Sequence, residues 1–346
     1  MDIFSTGRLA IRRNIETMIL SVITPAFNEE ESIAKLHQKL TQILSADSLL
    51  KGYDYELILI NDGSRDKTID EMKKAAATDP RVRYISFSRN FGKEAAMLAG
   101  LAYCIGDYAV IMDSDLQHPP ELIPQMIDLS YEGYDQVIAK RTRSGDKKGR
   151  TFLSRLYYRL VNNFMDVKLE DGVGDFRLLS RRAINALTAM KEYTRFSKGL
   201  FAWIGFKTTT IEYENVQRES GQTKWTFKSL LRYAADGIMS FNDKPLRVSF
   251  YIGAVTMLMG FFYIIYSLLR ILLVGIEAPG YFTMISAILI MGGVQLVSIG
   301  VLGEYIGKIY YEVKGRPHFL IQETNIPLEA PSTAKKETAN YERPNY

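Results

Sequence analysis

Two aspartates one residue apart, Asp113 and Asp115, follow the apolar run Tyr108-Ala-Val-Ile-Met112 and lead into Leu116-Gln-His-Pro-Pro120. Paired carboxylates at the end of a buried strand are a seat for a divalent cation. A hard cation held by only one or two carboxylates keeps coordination positions for phosphate oxygens. The chemistry these residues suggest is phosphate chemistry.

Other polar residues extend the pattern. Asp62, in Asn61-Asp-Gly-Ser64, also follows an apolar run. It reads either as a turn or helix-capping residue or as a carboxylate accepting from a nucleobase or ribose. A basic stretch runs from Lys140, Arg141 and Arg143 through Lys147, Lys148, Arg150 and Arg155. Arg218 and Lys224 add two cations further on, in and before Gly221-Gln-Thr-Lys-Trp225. Such a set suits a phosphate head group, although charge runs are often only solvated surface. His37, His118 and His318 lack metal-ligand spacing, and the neighbouring Pro119 gives His118 a turn role. No GxGxxG follows the first strand and no GxxxxGK[ST] occurs, which argues against a dinucleotide cofactor and P-loop hydrolysis.

Alternating elements position these residues. Ile19–Thr24, Glu56–Ile60, Val82–Phe87, Tyr108–Met112 and Gln136–Ala139 read as short buried strands. Helical spacing fills Glu30–Leu44, Thr68–Ala77 and Gly92–Cys104 between them. This alternation predicts an α/β domain, a mostly parallel sheet covered on both faces. Ligands of such sheets bind beyond the carboxyl ends of the strands. Asn28-Glu29, Asn61-Asp62 and Asp113-Ser-Asp115 all fall there.

The chain then changes character. Val248–Leu269 has no charged residue across 22 positions and Tyr281–Gly303 none across 23. Each can span a hydrocarbon core of about 30 Å as a helix. Lys244 and Arg247 precede the first and Lys308, Lys314 and Arg316 follow the second, so both flanks are expected in the cytoplasm. Trp225–Phe241 has helical apolar spacing with interleaved Lys228 and Arg232. It reads as an amphipathic interfacial helix or as an ordinary core-facing one.

The expected organisation is an extension over 1–18, a catalytic domain over 19–224 and a juxtamembrane helix over 225–247. Two membrane helices follow at about 248–270 and 281–303, then a cytoplasmic segment over 304–346, disordered from about 323. The first 18 residues hold Arg8, Arg12 and Arg13 but no apolar core of a signal peptide. The single cysteine, Cys104, excludes an internal disulfide and fits a reducing compartment. A net charge of +4 is too small to imply nucleic-acid binding.

Six motifs carry a resemblance. They are Pro25-Ala-Phe-Asn-Glu29, Asn61-Asp-Gly-Ser64, Ser88-Arg-Asn-Phe-Gly-Lys93, Asp113-Ser-Asp-Leu-Gln-His-Pro-Pro120, Val173-Gly-Asp-Phe-Arg177 and Leu302-Gly-Glu-Tyr-Ile-Gly307 with Arg316-Pro317. From about Met18 to Gln322 the chain resembles the inverting family 2 glycosyltransferases of GT-A, Rossmann-like fold. It is most similar to those that load polyisoprenyl phosphates, the dolichol-phosphate mannose synthases and the bacterial undecaprenyl-phosphate (bactoprenol) glucosyl and N-acetylglucosaminyl transferases. No QxxRW is present, unlike the processive members.

The resemblance implies a role for each matching residue. Pro25, Phe27, Glu29, Ile60 and Asp62 would frame the nucleoside of a UDP-sugar. Asp113, Ser114, Asp115 and Gln117 would hold its diphosphate through Mg2+ or Mn2+, with Asp113, Asp115 and Gln117 nearest the metal. Arg141, Arg155, Arg218 and Lys224 would hold the acceptor phosphate and the leaving diphosphate. Asp175 would contact sugar hydroxyls or act as a base, unless it only orients Arg177. The implied activity is transfer of a hexose, N-acetylglucosamine before glucose, to undecaprenyl phosphate with inversion. The implied setting is the cell membrane, with the catalytic domain and both termini cytoplasmic. A homotetramer, and a flippase and extracytoplasmic glycosyltransferase downstream, follow from the same likeness. A glycerolipid acceptor and a non-enzymatic, membrane-tethered nucleotide-sugar-binding scaffold are the competing readings.

Overall fold

The computed structural model describes residues 18–46, 53–142, 173–214, 244–275 and 280–327. Four strands form the centre of its sheet: β1 (Met18–Ala26), β2 (Tyr53–Asn61), β3 (Val82–Phe87) and β4 (Tyr108–Ile111). Their apolar residues point alternately to the two faces, as a period of two requires. Leu20, Val22, Leu57 and Leu59 pack against helices α1 (Ile33–Ala46), α2 (Thr68–Thr78) and α4 (Ile123–Tyr131). Ile23, Ile58, Ile60 and Ile111 pack on the other face, against α3 (Lys93–Tyr103), α5 (Arg181–Ala189) and α6 (Ser197–Trp203). Gly100 lets α3 lie flat on β1, because a Cβ there would come within 2.2 Å of Ile23 Cγ2.

The remaining strands are β5 (Gln136–Arg141), β6 (Val173–Ser180), β7 (Thr208–Tyr213) and β8 (Ile321–Thr324). The eight-stranded order is β7-β5-β6-β4-β1-β2-β3-β8. β1 runs parallel to both β2 and β4, while β6 is inserted antiparallel between β4 and β5. The chain leaves β1 toward β2 and β3 on one side and returns to β4 on the other. The carboxyl ends of β1 and β4 therefore flank a topological switch point, where crevices form in such sheets.

Helices α7 (Lys244–Val274) and α8 (Tyr281–Lys314) are largely apolar, with charged residues toward the ends. The windows Leu246–Arg270 and Ile290–Lys314 have mean hydropathies of 2.0 and 1.4, and no part of either is buried in the protein. Phe261, Phe262, Leu272 and Leu296 are among the exposed side chains. Length and composition make the pair a candidate membrane hairpin. α8 continues past the uncharged stretch to Lys314, about three turns beyond Gly303 at 3.6 residues per turn.

The segment after α8 is ordered further than the sequence suggests. Glu323 was expected to begin a disordered tail, but Glu323 and Thr324 belong to β8, antiparallel to β3, and Ile326 is buried. Asn325 explains the extension: its amide accepts from the Tyr84 N–H and donates to the Val82 carbonyl, closing the edge of β3. The expected interfacial helix over 225–241 and the tail from 328 lie outside the described residues.

Candidate active site

Asp113 leaves β4 through a tight turn. Its backbone N–H donates to His118 Nδ1 at 3.0 Å. An N–H can only donate, so Nδ1 is unprotonated. His118 stacks on Phe176 at 5.0 Å between ring centroids, and its burial lowers its pKa. The turn role expected of His118 is thus what it performs. Leu116 takes a positive φ of 58° within this turn, and the Gln117 N–H donates to Asp115 Oδ1 at 3.1 Å. Ser114 is buried, while Asp115 and Gln117 are half-buried at the rim.

β6 brings the third carboxylate. Its antiparallel register with β4 pairs Ile111 with Arg177. Carried two residues on, that register sets Asp175 opposite Asp113. Between them lies Lys93, the first residue of α3. Its Nζ is 2.6 Å from Asp113 Oδ1 and 2.6 Å from Asp175 Oδ2. Burial pulls the Lys93 ammonium toward a lower pKa, but the charges of Asp175 and Asp113 outweigh it and raise the pKa above the ordinary lysine value. Burial raises the Asp175 carboxyl, but the Lys93 and Lys198 charges reverse this and hold it well below the usual carboxylate range.

Arg177 is not the ion-pair partner of Asp175. Its guanidinium is fully buried, lies 3.7 Å over the Phe201 ring and donates from Nη2 to the Gly174 carbonyl at 2.8 Å. Burial pushes its pKa down to about 10. Glu94, beside Lys93, accepts from the Ser197 N–H at 3.1 Å and from its hydroxyl. Burial pushes Glu94 up to about 7.

The loops after β1 and β2 are joined edge to edge. The Asn28 N–H donates to Ser64 Oγ and the Glu29 N–H to Thr68 Oγ1, each at 2.9 Å. Asp62 is buried and turns away from this seam to the loop before α3. It accepts from the Phe91 N–H at 2.7 Å and the Gly92 N–H at 3.0 Å. It thus anchors the loop that leads into α3, a longer-range tie than the local turn or cap of the sequence reading. Gly63 allows the approach: its φ is 64°, and a Cβ would come within 2.3 Å of the Arg89 carbonyl carbon. Pro25 and Ile60 are register partners. The Ile60 side chain belongs to the core beneath Gly100, so only its backbone faces the strand ends. Phe27 and Glu29 are half-buried in the β1 loop, where Glu29 also accepts from the Ser32 hydroxyl at 3.0 Å.

Arg141 ends β5 opposite Tyr213 of β7. Burial raises the Tyr213 hydroxyl pKa, Arg141 lowers it, and Asp113 and Asp115 raise it further. Arg141 and the acidic pair therefore share one electrostatic neighbourhood. Arg155, Arg218 and Lys224 lie outside the described residues.

Lys93, Glu94 and Lys198 were given no role from sequence. One signal for Lys93 was available: a lysine at the first position of a helix opposes the helix dipole. Such a placement needs a local anion, and here there are two.

No group of three or more His, Cys, Asp or Glu side chains converges on a metal position among the described residues. The donor set is the two-carboxylate kind that suits a cation arriving with phosphate oxygens of its own. The Lys93 ammonium between Asp113 and Asp175 shows that the position accepts positive charge. The residues present therefore fit Mg2+ or Mn2+ carried in with a nucleotide.

Fold and site define a glycosyltransferase of GT-A-like architecture. Residues 21–188 match the model of glycosyl transferase family 2, and residues 244–309 match that of the GtrB C-terminal hairpin. The chain belongs to glycosyl transferase family 2, in the hairpin-bearing group that includes proteins named bactoprenol glucosyl transferases. CsbB of Bacillus subtilis (strain 168), named as a glycosyltransferase, is 53% identical over 89% of this chain and 93% of its own length. A prophage bactoprenol glucosyl transferase homolog of Escherichia coli (strain K12) is 40% identical over 88% of this chain and 99% of its own. Among solved structures, glucosyl-3-phosphoglycerate synthase from Mycobacterium tuberculosis with Mn2+, UDP and glucosyl-3-phosphoglycerate aligns at 20% identity and TM-score 0.42, over 65% of this chain and 81% of that one.

Proposed function

We propose that this chain transfers a hexose from a UDP-sugar to undecaprenyl phosphate, with inversion at the anomeric carbon, at the cytoplasmic face of a membrane. The observation that carries this reading is the tie between the acidic site and an apolar helix. The Tyr193 N–H, four residues before α6, donates to Glu312 Oε1 near the end of α8 at 2.8 Å. α6 in turn presents Ser197 to Glu94, next to Lys93. A sugar-transfer site fastened to a candidate membrane helix suits an acceptor that is itself a lipid. The 40% identical relatives named for bactoprenol support the same acceptor.

The chemistry follows from the residues. The acceptor phosphate is ionised at neutral pH, so its oxygen needs no dedicated base to attack. The task of the protein is to hold two anions together. Asp113 and Asp115, with Gln117 beside them, would hold the divalent cation, which offsets charge on the departing diphosphate. Arg141, with Arg155, Arg218 and Lys224, would hold phosphate oxygens on the acceptor side. Asp175 stays ionised and weakly basic beside Lys93, so its role is to accept from a sugar hydroxyl rather than to remove a proton. Asp62 would shape the nucleoside pocket through the loop it caps, next to Pro25, Phe27 and Glu29.

The sequence put N-acetylglucosamine before glucose. Several relatives are named bactoprenol glucosyl transferases, and that supports glucose beside it. Purified protein with Mn2+, undecaprenyl phosphate and each UDP-sugar in turn tests the reading. A lipid-phosphate-linked sugar supports it. Product only on a glycerolipid acceptor moves the function to that lipid class. Wild-type cellular function in Asp115→Ala would favour the binding scaffold.

A further inference from the structure

Lys93 places a cation between Asp113 and Asp175, and the transfer chemistry above gives it no contact with substrate. Three features make its position a built one. Asp62 fixes the Phe91–Gly92 backbone immediately before it. α3 is locked on β1 by the close approach at Gly100. Asp113 and Asp175 reach Nζ from the turn after β4 and from β6, at the same 2.6 Å. The side chain as a whole is 41% exposed, although its ammonium end is enclosed by the two carboxylates.

Two carboxylates this close repel unless a cation lies between them. Here that cation is Lys93. A divalent ion arriving with a diphosphate competes with the ammonium for Asp113, whose Oδ1 the lysine holds. We propose that Lys93 is a placeholder cation: it holds Asp113 and Asp175 in position while nucleotide is absent, and releases Asp113, keeping Asp175, when the metal–diphosphate arrives.

The consequence is an ordered site. Metal alone competes with Lys93 and binds weakly. Metal with diphosphate brings extra ligands and a negative charge that can receive the displaced ammonium. Lys93 thus couples metal affinity to the presence of nucleotide and keeps an unloaded site from capturing free cations. It is a positioning residue, acting through the two aspartates. The inference rests on the reading that Asp113 receives a nucleotide-borne cation.

The test is Mn2+ binding by electron paramagnetic resonance of the free ion, on the full-length protein, with and without UDP. No sugar donor or lipid acceptor is present, so a wrong acceptor or sugar assignment leaves the result untouched. Lys93→Gln should bind Mn2+ without UDP about tenfold or more tightly than wild type, since Asp113 and Asp175 then lack a counter-cation. The enhancement given by UDP should shrink by a similar factor. Lys93→Arg, which retains the charge, should stay within about twofold of wild type. Asp113→Asn added to Lys93→Gln should abolish the gain. Equal nucleotide-free Mn2+ affinity in wild type and Lys93→Gln, with both folded by circular dichroism, overturns the proposal. If Lys93→Gln does not fold, Asp175→Asn replaces it. This variant should tighten Lys93 on Asp113 and weaken nucleotide-free Mn2+ binding, and unchanged binding again overturns the proposal.

Discussion

The Tyr193 N–H donates to Glu312 Oε1 at 2.8 Å, across 119 residues of sequence. The Tyr193 ring also stacks on Tyr311 at 5.5 Å and on His318 at 5.9 Å between centroids. Directly afterwards, Phe319 stacks on Phe87 at 5.0 Å, and the Leu320 carbonyl accepts from the Ser88 N–H. Ser88 begins the loop that ends at Lys93. The end of α8 and the segment that follows it therefore touch the catalytic domain at two places, Tyr193 and the end of β3.

Glu312→Ala removes one of these ties at an exposed position, where a hydrogen bond contributes about 1 kcal/mol. Transfer to a lipid acceptor should fall about two- to fivefold in kcat/KM. The thermal shift produced by UDP with Mn2+ should not change, because the nucleotide side is untouched. Kinetics on undecaprenyl phosphate beside a thermal-shift titration separate the two effects.

Gly63→Ala should destabilise the protein by about 1–3 kcal/mol, from the left-handed backbone and the overlap with Arg89. For a domain of this size, that lowers the melting temperature by about 2–4 °C per kcal/mol. Calorimetry reads the stability. UDP affinity should drop as well, since the Arg89–Gly92 loop must retreat.

Asp62 has a sharper signature. Asn keeps an acceptor oxygen for the Phe91 and Gly92 N–H groups, and Ala leaves both without a partner. Asp62→Ala should therefore weaken UDP binding more than Asp62→Asn, by about tenfold or more, as expected for about 1–3 kcal/mol per unsatisfied group. Isothermal titration gives both values. Equal losses would mean that the carboxylate acts by its charge and not by capping the loop.

Glu94 predicts a pH dependence. Its folded pKa is pushed up to about 7 by burial, against an ordinary 4.5. The folded state then binds more protons between those values, so stability falls as pH rises through this window. Below it, the group is protonated in both states and costs nothing. Chemical denaturation of wild type and Glu94→Gln at several pH values should show a steeper decline in wild type. Parallel curves would remove Glu94 as the cause.

The central sheet was legible because its strands are continuous apolar runs separated by helical periods. Both faces of β1, β2 and β4 are covered, so the run of Val, Leu and Ile was a direct signal. β6 was not legible as a strand, because Gly174, Asp175 and Arg177 interrupt its apolar pattern. Those polar residues are there because the strand passes through the site, and its antiparallel insertion is what brings Asp175 to Asp113. β8 is four residues long and mostly polar, and its pairing with β3 depends on Asn325, some 240 residues away. The acidic pair was readable from its place after an apolar run, and the turn from Pro119 beside His118. Lys93 lies in the Ser88–Lys93 motif, but its function does not show in the sequence, since its partners sit after β4 and on β6, whose adjacency is tertiary.

The most direct measurement is transfer of radiolabelled sugar from UDP-N-acetylglucosamine and UDP-glucose to undecaprenyl phosphate by the purified protein with Mn2+. The account predicts a lipid-linked product from one of the two donors, reduced by about a hundredfold or more in Asp115→Ala, as expected when a principal charge-stabilising group is lost. Failure to form product from either donor, or full activity in Asp115→Ala, would contradict it.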